Sequence, residues 1–340
     1  MKVLFIGGTG IISTACTQLA AHRGIELTLL ARGKHKIELP QGVNVVNADS
    51  RDAAGTARAL AGAKFDAVVD WIAYTPNDIE RDLELFAGHT RQFIFISSAS
   101  AYQKPSTHYR ITESTPLANP HWEYSRNKIA CEERLMKAYR ETGFPVTIVR
   151  PSLTYGDTQI PLILNSWEKP YTMIHRMLDG KKVIVPGDGT SLWVITHNSD
   201  FAKGLVGLLG QTQAIGHAFH ITSDEVQTWD QYYRIVGEAI GVEPQIVHIP
   251  SDFVIACLPE DEGSLVGDKS VSVVFDNSKI KRFVPGFRAT TRFAQGIRQT
   301  LAWFQADKSR QHVDAALDVA LDKVIEAYEK GLREAVTRFR

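Results

Sequence analysis

Tyr124 and Lys128 stand four residues apart in EYSRNK, a spacing that on a helix puts both side chains on one face. An ammonium beside a phenol lowers the phenol's pKa, so the pair could exchange a proton with a hydroxyl or carbonyl oxygen. Ser98, upstream in FIFISSASAY, would lie at a strand C-terminus and could hydrogen-bond that same oxygen. Strand C-termini are where open α/β sheets bind ligands. A tyrosine and a lysine at this spacing also describe many surface helix pairs, so the rest of the chain decides what they mean.

The N-terminus supplies a second constellation, MKVLFIGGTGIIS, with Gly7, Gly10 and Ser13 three residues apart. A strand running into such a loop, with a helix after it, lets glycines make a tight turn and admits a pyrophosphate to the helix N-terminus. Serine at the third small position is only slightly larger than glycine and is read as tolerated. An ordinary strand–turn–helix junction is the plainer alternative. A P-loop is excluded, because no GK[ST] follows. The second strand ends LLARGKHK. Ala31 stands where an acid would accept the ribose hydroxyls of NAD, and Arg32, Lys34 and Lys36 follow. Arginine can fork onto a 2′-phosphate, so NADP is the preferred cofactor, with NAD the alternative and a solvated basic loop the competing reading. Asp49, in NADSRD, could reach an adenine amino group or cap the following helix.

These residues need a parallel sheet to bring them together, and the hydrophobic pattern predicts one. Short apolar runs at Lys2–Ile6, Glu26–Leu30, Gly42–Val46, Ala67–Trp71, Gln92–Ser97 and Pro145–Val149 alternate with helix-like segments, the first being Ile12–Arg23. The predicted fold is α/β, a doubly wound parallel sheet of the Rossmann kind with a smaller mixed C-terminal substrate domain. Residues 1–160 form the dinucleotide-binding part, which also receives parts of 190–225 and 270–285. Residues 161–340 are mainly substrate-binding. Later predicted elements are the strands Lys182–Val185 and Ala218–Thr222, the helix Asp200–Leu209 and a long amphipathic helix over Asp314–Arg340, which could cap the second domain or join a homodimer.

Lys plus Arg and Asp plus Glu each total 38 of 340 residues. That balance argues against a nucleic-acid or membrane-surface partner, which would leave a basic footprint. Cys16, Cys131 and Cys257 are scattered and odd in number, so no disulfide framework is predicted. With no stretch of roughly 20 apolar residues, a cytoplasmic setting and a small-molecule substrate are expected.

Several segments together resemble the extended short-chain dehydrogenases/reductases of the NAD-dependent epimerase/dehydratase type: GGTGIIS, SSASAY, ITESTPL, YSRNK, RPSLTYGD, PGDGTSLWVITHNSDFAKGL and VVFDNSKIKRFVPGF, in that order. The resemblance implies hydride transfer at a hydroxyl or carbonyl carbon of a sugar-like compound, in which Ser98, Tyr124 and Lys128 are catalytic. Ser98 is preferred to Ser97 because it lies four residues before Tyr102. Tyr124 would handle the proton, Lys128 would tune it and orient the nicotinamide ribose, and Ser98 would anchor the reacting oxygen. Gly7, Gly10 and Ile12 would hold the pyrophosphate, and Arg32 and Asp49 the adenosine half. An RNA-binding or regulatory relative without turnover is the alternative.

Departures from the family pattern narrow the expectation. Dehydratases of this type carry an Asp-Glu pair after the active serine or threonine; here those positions are Ala99 and Ser100, so a 4,6-dehydratase is not expected. The arginines that clamp a nucleotide-sugar diphosphate are replaced by Leu192 or Trp193 and by Leu265. Trp167, Tyr171 and Trp193 could line a substrate pocket or fill the core. His217 and His220 lack metal-site spacing, and no metal is expected.

Overall fold

A computed structural model describes residues 1–33 and 38–340. Strands Lys2–Ile6 (β1), Glu26–Ala31 (β2), Asn44–Asn47 (β3), Ala67–Asp70 (β4) and Phe93–Ile96 (β5) join Val146–Arg150 and Ala218–His220 in one sheet. Its order is β3, β2, β1, β4, β5, Val146–Arg150, Ala218–His220, and every pairing is parallel. Chain direction across the sheet reverses between β1 and β4, the point where such sheets open a crevice at their carboxyl ends. Val3 to Ile6 are at most 1% exposed, because helices cover both faces, and this is why the run reads as continuously apolar.

Helices Ser13–His22 (α1) and Asn198–Leu208 pack on one face, around Cys16, Ala20, Phe201 and Leu205. Pro76–Phe86 (α3) and Glu123–Thr142 (α4) cover the other, around Ile79, Phe86, Cys131 and Leu135; Ala53–Leu60 (α2) lies between β3 and β4 in sequence. Local chemistry sets their ends. Asp52 caps α2 by accepting from Gly55 N at 2.9 Å. Thr75 and Asp78 form a capping box before α3 with Pro76 in its first turn, and Gly143, at φ 70°, ends α4.

A third core belongs to the C-terminal part, built on Ile174, Ile184, Tyr233, Val236, Ile297 and Leu321 among others. Lys182–Pro186 pairs in parallel with Gln245–Ile249 there. The long terminal helix runs Ala315–Thr337, capped by Asp314. Its first half is docked: Arg176, whose side chain is fully buried, reaches Asp318 at 2.6 Å and Asp322 at 2.8 Å. Ala218–His220 joins the seven-stranded sheet, and Asn198–Leu208 packs in the same core as α1. Predicted strand ends lie within two residues of those observed, Lys2–Ile6 matching and Asn44–Asn47 replacing Gly42–Val46, since hydrophobicity does not mark where ladder hydrogen bonds stop. No helix among the described residues is long and apolar enough to cross a membrane.

Candidate active site

A cleft of about 1050 Å³ opens at the carboxyl ends of β1, β2 and β4. Its upper wall is the loop after β1. Gly7 has φ 95° and Gly8 φ 106°, a region open to glycine and strained for other residues. A Cβ on Gly8 would lie 2.8 Å from Leu29 Cδ2. Gly8→Ala is expected to cost about 1–3 kcal/mol, seen as a lower unfolding midpoint in denaturant. Ser13 is buried and its Oγ accepts from Gly10 N at 2.8 Å, so the serine in the third small position ties the loop to its own helix. Thr17 Oγ1 donates to Gly8 O, and Asn198 Nδ2 to Ile11 O, each at 2.8 Å. α1 begins at Ser13, and its N-cap Ile12 supplies no side-chain cap, unlike α2 and α3. Thr14 N bonds to Gly10 O at 3.0 Å, and the helix N-terminus, set at the glycine loop, fits a dinucleotide pyrophosphate.

Arg32 and Gly33 border the far end of the cleft, with Asp49, Ser50 and Arg51 opposite. Arg32 is exposed at the end of β2; Lys34 and Lys36 lie outside the described residues. Asp49 is not the helix cap: Asp52 takes that place, while Asp49 Oδ1 accepts from Arg51 N at 3.1 Å.

Tyr124 and Lys128 project from the first turns of α4 into the same cleft. Lys128 is 2% exposed, and its Nζ donates to Ala73 O at 2.6 Å and Ile96 O at 2.8 Å. Burial lowers its pKa to about 8, with the nearby Asp70 charge opposing that shift. Burial likewise raises Tyr124 to about 12, partly offset by a hydrogen bond from Ser98. In the free protein the net shift of the tyrosine is upward, and burial of the phenol is its largest cause. The ammonium donates to two carbonyls and lies 5.8 Å from the centroid of the Tyr124 ring.

The two adjacent serines have separate partners. Ser97 Oγ donates to Glu132 Oε1 at 2.5 Å, whereas Ser98 contacts Tyr124. Ser98 Oγ accepts from Ser100 N at 3.2 Å and lies 2.8 Å from Ser100 Oγ, which in turn accepts from Ser125 Oγ at 2.7 Å. These contacts hold the Ser98 side chain in place, and either hydroxyl of the Ser98–Ser100 pair can be the donor. Ser125, and the links from Ser100 to Ser98 and Ser125, were missed in the sequence because serines carry no hydrophobic period. Asp70 and Asp82, buried at the edge of the cleft, were missed because isolated carboxylates read as surface charge.

Of the three aromatic candidates, Trp167 borders the cleft and is 60% exposed. Trp193 stacks on Trp229 at 5.7 Å, and Tyr171 packs against Phe304 at 5.4 Å; both are core. Leu265 is fully buried. His220 joins Tyr102 Oη at 3.0 Å and Asp276 O at 2.8 Å, and His217 packs against Phe219 and Phe283. Among the described residues no group of three or more His, Cys, Asp or Glu could hold a metal ion.

The sheet order, the glycine loop at the reversal point and the cleft beneath it define a dinucleotide-binding α/β protein. The chain belongs to the NAD dependent epimerase/dehydratase family, whose model matches residues 3–222. It is 26% identical over 293 residues to 2'-dehydrokanamycin reductase of Streptomyces kanamyceticus, covering 85% of this chain and 80% of that one. It is 27% identical over 267 residues to chloroplast stem-loop binding protein of 41 kDa b of Arabidopsis thaliana, covering 74% and 67%. It is also 31% identical over 223 residues to a dTDP-glucose 4,6-dehydratase of Actinoplanes, covering 65% and 62%. The fold matches the epimerase Mth375 of Methanothermobacter thermautotrophicus with a TM-score of 0.75 at 17% identity, over 91% of this chain and 93% of that one.

Proposed function

We propose that this chain is an NAD(P)-dependent oxidoreductase or epimerase that acts at a hydroxyl or carbonyl carbon of a sugar-like compound. The observation that carries this reading is the shared cleft: Tyr124 and Lys128 face the same space as the Gly7–Ser13 loop. A nicotinamide dinucleotide, when bound, supplies or accepts the hydride. Tyr124, neutral over the ordinary pH range in the free protein, donates a proton to the oxygen of a carbonyl as it is reduced. Ser98 holds that oxygen through its hydroxyl. Lys128 contributes positive charge beside the phenol and holds the ribose next to the nicotinamide.

Net redox chemistry is favoured over elimination. A dehydratase needs an acid and a base beside the serine, and here Ala99 is buried while the hydroxyl of Ser100 is engaged by Ser98 and Ser125. The similarity to dTDP-glucose 4,6-dehydratases makes this worth a direct test: incubation with a dTDP-hexose should give no loss of water. A nucleotide-sugar substrate is disfavoured because Trp193 and Leu265 are packed into the core where clamp arginines would stand.

NADP is the preferred cofactor, on the exposed guanidinium of Arg32 at the adenosine end. Arg32→Ala is expected to weaken NADPH binding by roughly tenfold or more, as loss of one charge-assisted bond of about 1.5–3 kcal/mol implies, and to leave NADH binding nearly unchanged. Fluorescence titration measures both, and equal losses would overturn the 2′-phosphate contact. Likeness to a stem-loop binding protein supports a second reading, RNA binding without turnover. Salt-sensitive RNA retention together with no NAD(P)H oxidation on a carbonyl panel would establish it.

A further inference from the structure

Two carboxyl groups meet near Lys128, and among the described residues neither forms a salt bridge. Asp70 ends β4 and Asp82 lies within α3; they are 3% and 4% exposed, and both border the cleft. Their side chains are in hydrogen-bonding contact. Asp70 Oδ1 accepts from Ile72 N at 2.6 Å and Ala73 N at 2.8 Å, whereas Asp82 Oδ2 finds no donor among the described residues. The surrounding charges are committed elsewhere. On α3, Arg81 pairs with Asp78, which also accepts from Tyr74 N and Thr75 N. On α4, Lys128 donates to two carbonyls, and Glu132 is bound by Arg150 at 2.6 Å. Cys131 and the Tyr74 phenol complete the titratable groups nearby, and burial raises the pKa of both. Two carboxylate oxygens repel at hydrogen-bonding range in a buried site unless one carries a proton.

We propose that Asp70 and Asp82 hold one proton between them and act as positioning residues, the monoanionic pair fixing the turn Trp71–Ala73 and keeping the Lys128 ammonium charged. Asp82 is the protonated member, because Asp70 is the one that accepts two backbone N–H groups. Burial and then the charge of Asp70 push Asp82 well up, while the hydrogen bonds to Asp70 offset part of its own burial. The turn that Asp70 holds presents the Ala73 carbonyl to Lys128 Nζ. The charge of Asp70 also opposes the loss of the lysine proton, which burial alone favours.

The proton-sharing half stands on the carboxyl pair alone, and the Lys128 half rests on the catalytic reading above. Infrared titration of the free wild-type protein should show a protonated-carboxyl stretch persisting at neutral pH and absent from Asp82→Asn. No such band, or one unchanged in both Asp82→Asn and Asp70→Asn, overturns the shared proton. NADPH affinity followed against pH by fluorescence should fall as Lys128 deprotonates. In Asp70→Asn that midpoint should move to lower pH by roughly one unit. In Asp82→Asn it should stay in place, since the amide donates where the acid did. Equal shifts in both variants overturn the assignment of the proton to Asp82, and no shift in Asp70→Asn overturns control of Lys128. Lys128→Met should abolish the midpoint; its survival overturns the Lys128 half and the catalytic reading together, while the infrared band still decides the pair.

Discussion

Tyr124→Phe is expected to lower turnover of any carbonyl substrate by roughly 10²–10⁴-fold, the usual contribution of a positioned general acid. Dinucleotide affinity should be largely retained. The ring of Tyr124 packs 5.0 Å from Trp122 and 6.2 Å from Tyr74, and phenylalanine preserves that packing while removing only the hydroxyl that Ser98 contacts. The measurement is steady-state oxidation of NADPH on a carbonyl panel, paired with fluorescence titration of the cofactor. Near-normal turnover in this variant would sink the assignment of the proton donor. Loss of cofactor binding in parallel with turnover would instead mean that the phenol serves the dinucleotide.

Glu132→Ala carries the largest expected loss of stability. Glu132 and Arg150 are 3% and 5% exposed, joined by Nε to Oε1 at 2.9 Å and Nη2 to Oε2 at 2.6 Å. The guanidinium lies 4.8 Å from the centroid of the Tyr102 ring. Burial alone would lower the pKa of Arg150; Glu132 and Tyr102 outweigh it and hold it above the ordinary value. Removing the carboxylate strands a buried cation and frees Ser97 Oγ, so unfolding free energy should fall by about 3–5 kcal/mol. Urea denaturation measures this. Glu132→Gln, which keeps one acceptor but puts an amide NH2 where the other carboxylate oxygen accepted, should fall between the two. A loss below about 1 kcal/mol in the alanine variant would show that water reaches Arg150 and that the pair contributes little. The same pair explains the division of labour in SSAS: Ser97 is held by Glu132, which leaves Ser98 for the tyrosine.

Much of the first domain was legible because buried parallel strands leave a plain signal, short apolar runs ended by glycine or polar residues. Val3–Ile6 and Phe93–Ile96 are of this kind, and their order in the chain with helices between them implies a doubly wound sheet. The glycine loop and the Tyr124–Lys128 spacing were legible for a related reason: their geometry is local, set by one turn or one helix. The C-terminal part was harder. Trp193 and Tyr171 read equally well as pocket walls or core, and only their stacking on Trp229 and Phe304 separates the two.

The sequence by itself determined the sheet, the dinucleotide-type loop and which residues could do proton chemistry, because each depends on period or spacing within a short stretch. Tertiary structure alone decided the states of those residues. It raised the Tyr124 pKa to about 12, chiefly by burying the phenol. It also set Asp70 against Asp82, 12 positions apart in the chain, where one carboxyl needs a proton. Charge state depends on desolvation and on neighbours brought from distant segments, and neither is written in the order of residues.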